Sequence, residues 1–125
     1  MKDAKGRKIL IVEDDEDLLC LYRLYLQGES YKIILAKNGL EGIQQAEQEK
    51  PDLIILDMIM PVMDGEEFIQ KYRVEKKNFD IPIIIASVND KIPPSLIEKG
   101  KIRSVLRKPF SIETLVKEIE SLLGD

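Results

Sequence analysis

Short apolar runs at residues 9–12 (ILIV), 33–36 (IILA), 53–56 (LIIL), 81–86 (IPIIIA) and 102–106 (IRSVL) limit more than anything else what this chain can fold into. Each has the length of a strand, and most are apolar without alternation, the pattern of strands covered on both faces. Between the runs the apolar residues recur at helical spacing: Leu18, Leu21, Tyr22, Tyr25 and Leu26, then Leu40, Ile43 and Ala46, then Phe68, Ile69 and Tyr72. A last stripe, Leu115, Val116, Ile119, Leu122 and Leu123, follows Ser111, a good N-cap. Strand and helix therefore alternate throughout, which predicts an α/β fold, a doubly wound five-stranded parallel sheet with helices on both faces.

The prolines refine this outline. Pro82 is tolerable because it lies at the start of its run. Pro93 and Pro94 leave room only for a short helix beginning near Pro94, since proline fits just the first turn. One domain is expected over residues 8–125, with residues 1–7 a flexible N-terminal arm. The apolar runs are far too short to cross a membrane, and the charged start lacks the apolar core of a signal peptide, so a cytoplasmic location and no membrane partner are expected.

Composition removes whole classes of chemistry. The chain has no His, hence no imidazole base, no His metal ligand and no phosphohistidine of its own. Cys20 is the one cysteine, which excludes an internal disulfide; in its apolar stretch it is expected to be a buried or half-buried filler. With 19 basic and 23 acidic residues the net charge is -4, so this chain alone is not expected to bind nucleic acid.

In open parallel sheets, ligands collect at the carboxyl ends of the strands. There the first run is followed by Glu13, Asp14 and Asp15, and the third by Asp57. If those strands are neighbours, Glu13, Asp14 and Asp57 converge, and carboxylates held that close call for a cation. All-oxygen ligands point to a hard ion, magnesium first and calcium or manganese next. Asp14, Asp15 or Glu16 could instead cap the helix that carries Leu18. Asp57 has no such alternative, because Pro61 delays the next helix until about Asp64 or Gly65. The fourth run ends at Ser87 and the fifth leads to Lys108-Pro109, adding a hydroxyl and an ammonium to the same edge. Together with a divalent cation, these groups would neutralise a tetrahedral dianion carried by the Asp57 carboxylate.

The segments KILIVEDDEDL, PDLIILDMIMPVMDG, IPIIIAS and LRKPF resemble, in order and spacing, the receiver domain of two-component response regulators, over residues 8–123. The resemblance implies a flavodoxin-like sheet of order 2-1-3-4-5 and a signalling switch rather than an enzyme, one that assists only its own phosphorylation and dephosphorylation. Asp57 would accept a phosphoryl group from a histidine kinase or phosphotransfer protein. Asp14 and Asp57 would bind Mg2+ directly, Glu13 mainly through water, and the backbone carbonyl of Ile59 would be a further ligand. Ser87 would be the switch hydroxyl and Lys108 the lysine on the phosphoryl group, the change of surface being read by a downstream protein. The chain departs from the family pattern at Val105, where an aromatic is frequent, at Val88, where a small residue is usual, and across residues 92–103. Two rival readings are a receiver fold that is not regulated by phosphate and a haloacid-dehalogenase-type enzyme. The latter usually carries a second acid where this chain has Ile59.

Overall fold

The computed structural model describes residues 6–88 and 92–124. Its strands are β1 (Lys8–Val12), β2 (Lys32–Ala36), β3 (Leu53–Leu56), β4 (Ile83–Ser87) and β5 (Ser104–Arg107). They form one parallel sheet in the order β2-β1-β3-β4-β5. The helices are α1 (Glu16–Gly28), α2 (Gly39–Glu49), α3 (Gly65–Ile69), α4 (Pro94–Gly100) and α5 (Ile112–Leu123). A π-helical segment, Gln70–Glu75, continues α3. Among the described residues no helix is long and apolar enough to cross a membrane.

The two faces of the sheet explain the unbroken apolar runs. Leu10, Val12, Ile54, Leu56, Ile83 and Ile85 pack with Ile43, Phe68, Ile69 and Tyr72 under α2, α3 and α4. Their neighbours Ile9, Ile11, Leu53, Ile55 and Ile84 point the other way, against Leu19, Tyr22 and Leu26 of α1 and Leu115 and Ile119 of α5. A strand with both faces covered has no polar position to spare, so alternation disappears.

Local rules set the element ends. Asp15 caps α1, Asn38 caps α2, Asp64 forms a capping box with Glu67 at α3, and Ser111 caps α5. Helix α4 begins with proline in its first turn, as the sequence predicts.

Four expectations are corrected. Cys20 is exposed rather than a filler. Nearly every residue of α1 from Leu18 to Leu26 is apolar, so spacing alone does not say which face turns inward. The sheet takes Leu19, Tyr22 and Leu26, leaving Leu21 and Tyr25 to line an apolar groove with Pro109, Phe110 and Ile112. Leu40 is likewise exposed, the inward positions of α2 being Gly39, Gly42, Ile43 and Ala46. The last strand starts at Ser104, because the Ile102 N–H turns back to close α4 on the Ile97 carbonyl at 3.0 Å. Of the expected arm, residues 1–5 lie outside the described residues. Gly6 donates to the Ser30 carbonyl at 3.3 Å, and the Arg7 carbonyl accepts from Lys32 at 2.8 Å.

Candidate functional site

Strand β1 pairs with β2 on one side and β3 on the other, so the winding reverses between β1 and β3. Crevices of this kind open at the carboxyl ends of the two strands. The Asp57 N–H donates to the Val12 carbonyl at 3.0 Å and the Glu13 N–H to the Ala36 carbonyl at 2.9 Å, carrying the pairing one residue past each strand. The carboxylates of Glu13, Asp14 and Asp57 each have an oxygen within 4.8 Å of the others. Glu13 and Asp57 are buried and Asp14 is exposed, which leaves the cluster open on one side. An all-oxygen donor set with that spacing fits a small hard divalent cation.

Glu13 is engaged at both oxygens. Its Oε1 accepts from Lys108 Nζ at 2.5 Å and its Oε2 from the Asp15 N–H at 3.2 Å. Burial pushes its pKa from 4.5 up to about 7, partly opposed by the Lys108 hydrogen bond and reinforced by the charge on Asp57. Lys108 Nζ also stands 3.7 Å from Asp57 Oδ2, so one ammonium bridges the two buried acids. The Lys108 N–H donates to the Ser87 carbonyl at 2.9 Å, and the Lys108-Pro109 bond is cis. Ser87 is buried at the end of β4, where Leu56 pairs with Ile85, so it lies one level beyond Asp57 on the adjacent strand. Ile59 donates its N–H to Asp57 Oδ1 at 3.3 Å while its side chain stays 57% exposed.

The structure thus brings Glu13, Asp14, Asp57 and Lys108 to one place, with Ser87 and the Ile59 peptide on the same edge. Asp15 caps α1 through its side chain instead of joining the cluster. Composition did not point to Tyr22, a buried neighbour whose pKa is raised by burial and then by the charges on Glu13 and Asp57. Its ring stacks on Phe110. Asn89, two residues beyond Ser87, where the resemblance implies an influence on attack by water, lies outside the described residues.

The loop after Asp57 is tied down at several points. Gly65 donates to the Met58 carbonyl at 3.1 Å, Gly39 to the Met63 carbonyl at 2.8 Å, and Met63 to the Pro61 carbonyl at 2.7 Å. The last bond spans two residues and forces Val62 to φ 68°, a left-handed conformation that a β-branched residue resists. Because the Val62 side chain is 74% exposed, it gains little there by burial. Val62→Gly is expected to stabilise the protein by about 0.5–1 kcal/mol, relief of roughly 1–2 kcal/mol of strain exceeding the extra entropy of glycine. A denaturant midpoint at or below that of the parent would contradict it.

Comparison with known proteins agrees with this geometry. The family model for the response regulator receiver domain matches residues 9–120. The chain is 33% identical over 118 residues to the alkaline phosphatase synthesis transcriptional regulatory protein PhoP of Bacillus subtilis, covering 94% of this chain but 49% of that protein. It is 30% identical over 120 residues to the polar-differentiation response regulator DivK of Brucella anthropi, covering 95% of this chain and 98% of that one. Thus the chain spans about half of the first relative and nearly all of the second. Among solved structures, the response regulator TrrA of Thermotoga maritima in complex with Mg2+ and BeF superimposes with a TM-score of 0.83 at 29% identity, covering 94% of this chain and 99% of that one.

Proposed function

The chain belongs to the response regulator receiver family, whose members are phosphoacceptor signalling domains, and from that premise we propose that Asp57 is the carboxylate that accepts the phosphoryl group. The observation that carries this reading is the meeting of Glu13, Asp14, Asp57 and Lys108 at one strand edge. Receiver domains take their phosphoryl group from histidine kinases or phosphotransfer proteins, and this chain, without His, carries no phosphohistidine of its own to serve as donor.

In the transfer, an Asp57 oxygen bonds to phosphorus as the P–N bond of the donor breaks, and the leaving imidazole keeps the bonding pair. The product is a dianion beside two acids, so positive charge has to be in place beforehand. Lys108 supplies part of it from its position between Glu13 and Asp57. Magnesium held by Asp14, Asp57 and the Ile59 carbonyl, with Glu13 reaching it through water, would supply the rest as a Lewis acid on the phosphoryl oxygens. TrrA, bound to Mg2+ and BeF, is a relative that supports this part of the reading. Ser87 would donate its hydroxyl to a phosphoryl oxygen and draw the end of β4 toward it. Phosphoryl uptake from acetyl phosphate, with Asp57→Ala beside the parent, tests the assignment.

The exposed apolar Ile59 side chain offers no group to orient an attacking water, which implies slow self-hydrolysis. Ile59→Asn adds both a donor and an acceptor at that position. We expect it to lose its phosphoryl group about tenfold faster, the effect of roughly 1.4 kcal/mol on the barrier. Equal decay of the two phosphoproteins after removal of the donor would refute the role.

A further inference from the structure

Arg73 is the largest fully buried side chain of the described residues, 1% exposed, on the π-helical segment that continues α3. A buried guanidinium has to find acceptors for a rigid fork of donors. Its Nε donates to the Gly100 carbonyl at 2.9 Å and one terminal nitrogen to the Asn78 carbonyl at 2.8 Å. Both acceptors are backbone, and one is the last residue of α4.

The two ends of α4 are held very differently. At its carboxyl end the Ile102 N–H takes the Ile97 carbonyl, the Lys101 N–H takes the Glu98 carbonyl and Arg73 takes the Gly100 carbonyl, so the last turn is closed by named partners. Gly100 is pressed so closely on α3 that a Cβ there would stand 2.7 Å from Ile69 Cγ2. The Phe79 ring meets both Arg73 and Lys101, its centroid 6.0 Å from the guanidinium carbon and 5.0 Å from the ammonium. At the amino end the Leu96 and Ile97 N–H groups take the Pro93 carbonyl and Leu96 is buried in the core, but Pro93 makes no side-chain cap, Pro94 has no N–H, and Pro94 and Ser95 are exposed.

We propose that Arg73 is a positioning residue that pins the carboxyl end of α4 and makes it the pivot about which a displacement begun at Ser87 swings the amino end. The pivot rests on the reading of Ser87 as the switch hydroxyl; the pin itself does not. Arg73→Lys keeps the charge but cannot reach two carbonyls with a planar fork.

Amide hydrogen exchange on the unphosphorylated full chain tests the pin. Lys101 and Ile102 should exchange about tenfold faster in Arg73→Lys than in the parent, with Leu96 unchanged. Equal rates at Lys101 and Ile102 would overturn it. Amide shift changes on adding magnesium and beryllofluoride test the pivot, a readout that a merely structural role would not redistribute. In the parent they should concentrate at Ser95 and Leu96, and in Arg73→Lys spread to Gly100 and Lys101. The same distribution in both proteins overturns the pivot; so do equal changes at both ends in the parent, which decides the matter even if the variant does not fold. Phosphoryl uptake is measured on the same parent sample. Its failure would sink the Asp57 reading while leaving the exchange result to decide the role of Arg73.

Discussion

Asp57→Ala is expected to take up no phosphoryl group under conditions where the parent chain, with magnesium and acetyl phosphate, gains the mass of one. On the proposed reading the loss should be complete, because Asp57 supplies the attacking oxygen. Glu13 has both oxygens occupied by Lys108 and the Asp15 N–H, and Asp14 sits at the exposed lip of the cluster. The variant should also stay folded. Asp57 is a buried acid near a second buried acid, with its ammonium 3.7 Å away, so neutralising it removes repulsion along with a long ion pair. Asp57→Asn, nearly identical in shape, is therefore expected to melt at or above the parent temperature and to stay unmodified. Persistence of the added mass in either variant would place the acceptor elsewhere. Absence of the mass from the parent itself would favour a receiver fold not regulated by phosphate.

Much of this was legible in the sequence, for reasons that particular residues make plain. β1, β3 and β4 stand out because both of their faces are covered, so runs such as 53–56 contain no polar residue. The sheet order then brings Glu13 and Asp57 together, as carboxyl ends of neighbouring strands must. What spacing could not supply was the choice among several apolar faces, and α1 shows why: with Leu18, Leu19, Cys20, Leu21 and Tyr22 all apolar, the inward line is fixed by the sheet and not by the helix. Long-range pairs are also silent. Lys108 and Glu13 are 95 residues apart, and nothing in either segment announces that the ammonium rests on the acid. Arg73 was hidden for a third reason: arginine is seldom fully buried, and its acceptors here are main-chain carbonyls that carry no residue identity.

Gly65→Ala carries the largest expected structural effect near the site, through space rather than conformation. A Cβ on Gly65 would stand 2.6 Å from the Asp57 carbonyl oxygen and 2.7 Å from Met58 Cα, both backbone atoms that cannot turn aside. The loop holding Asp57 would have to move away from the start of α3, against the Gly65 N–H bond to the Met58 carbonyl and the capping box of Asp64 and Glu67. Overpacking of this kind costs about 1–3 kcal/mol, and at about 2 kcal/mol the melting temperature should fall by roughly 6–12 °C. The chemistry should suffer more. A shift of about 1 Å in a reacting group can cost on the order of a hundredfold in rate, so phosphoryl uptake should slow well beyond what the stability change alone explains. Gly28→Ala makes the same chemical change at the end of α1, where a Cβ would meet nothing within 4 Å. There the methyl group should be neutral or stabilising by up to about 1 kcal/mol, with uptake unchanged. Equal melting temperatures and equal uptake rates for the two variants would show that the close approach of Gly65 to Asp57 does not hold the acceptor in place.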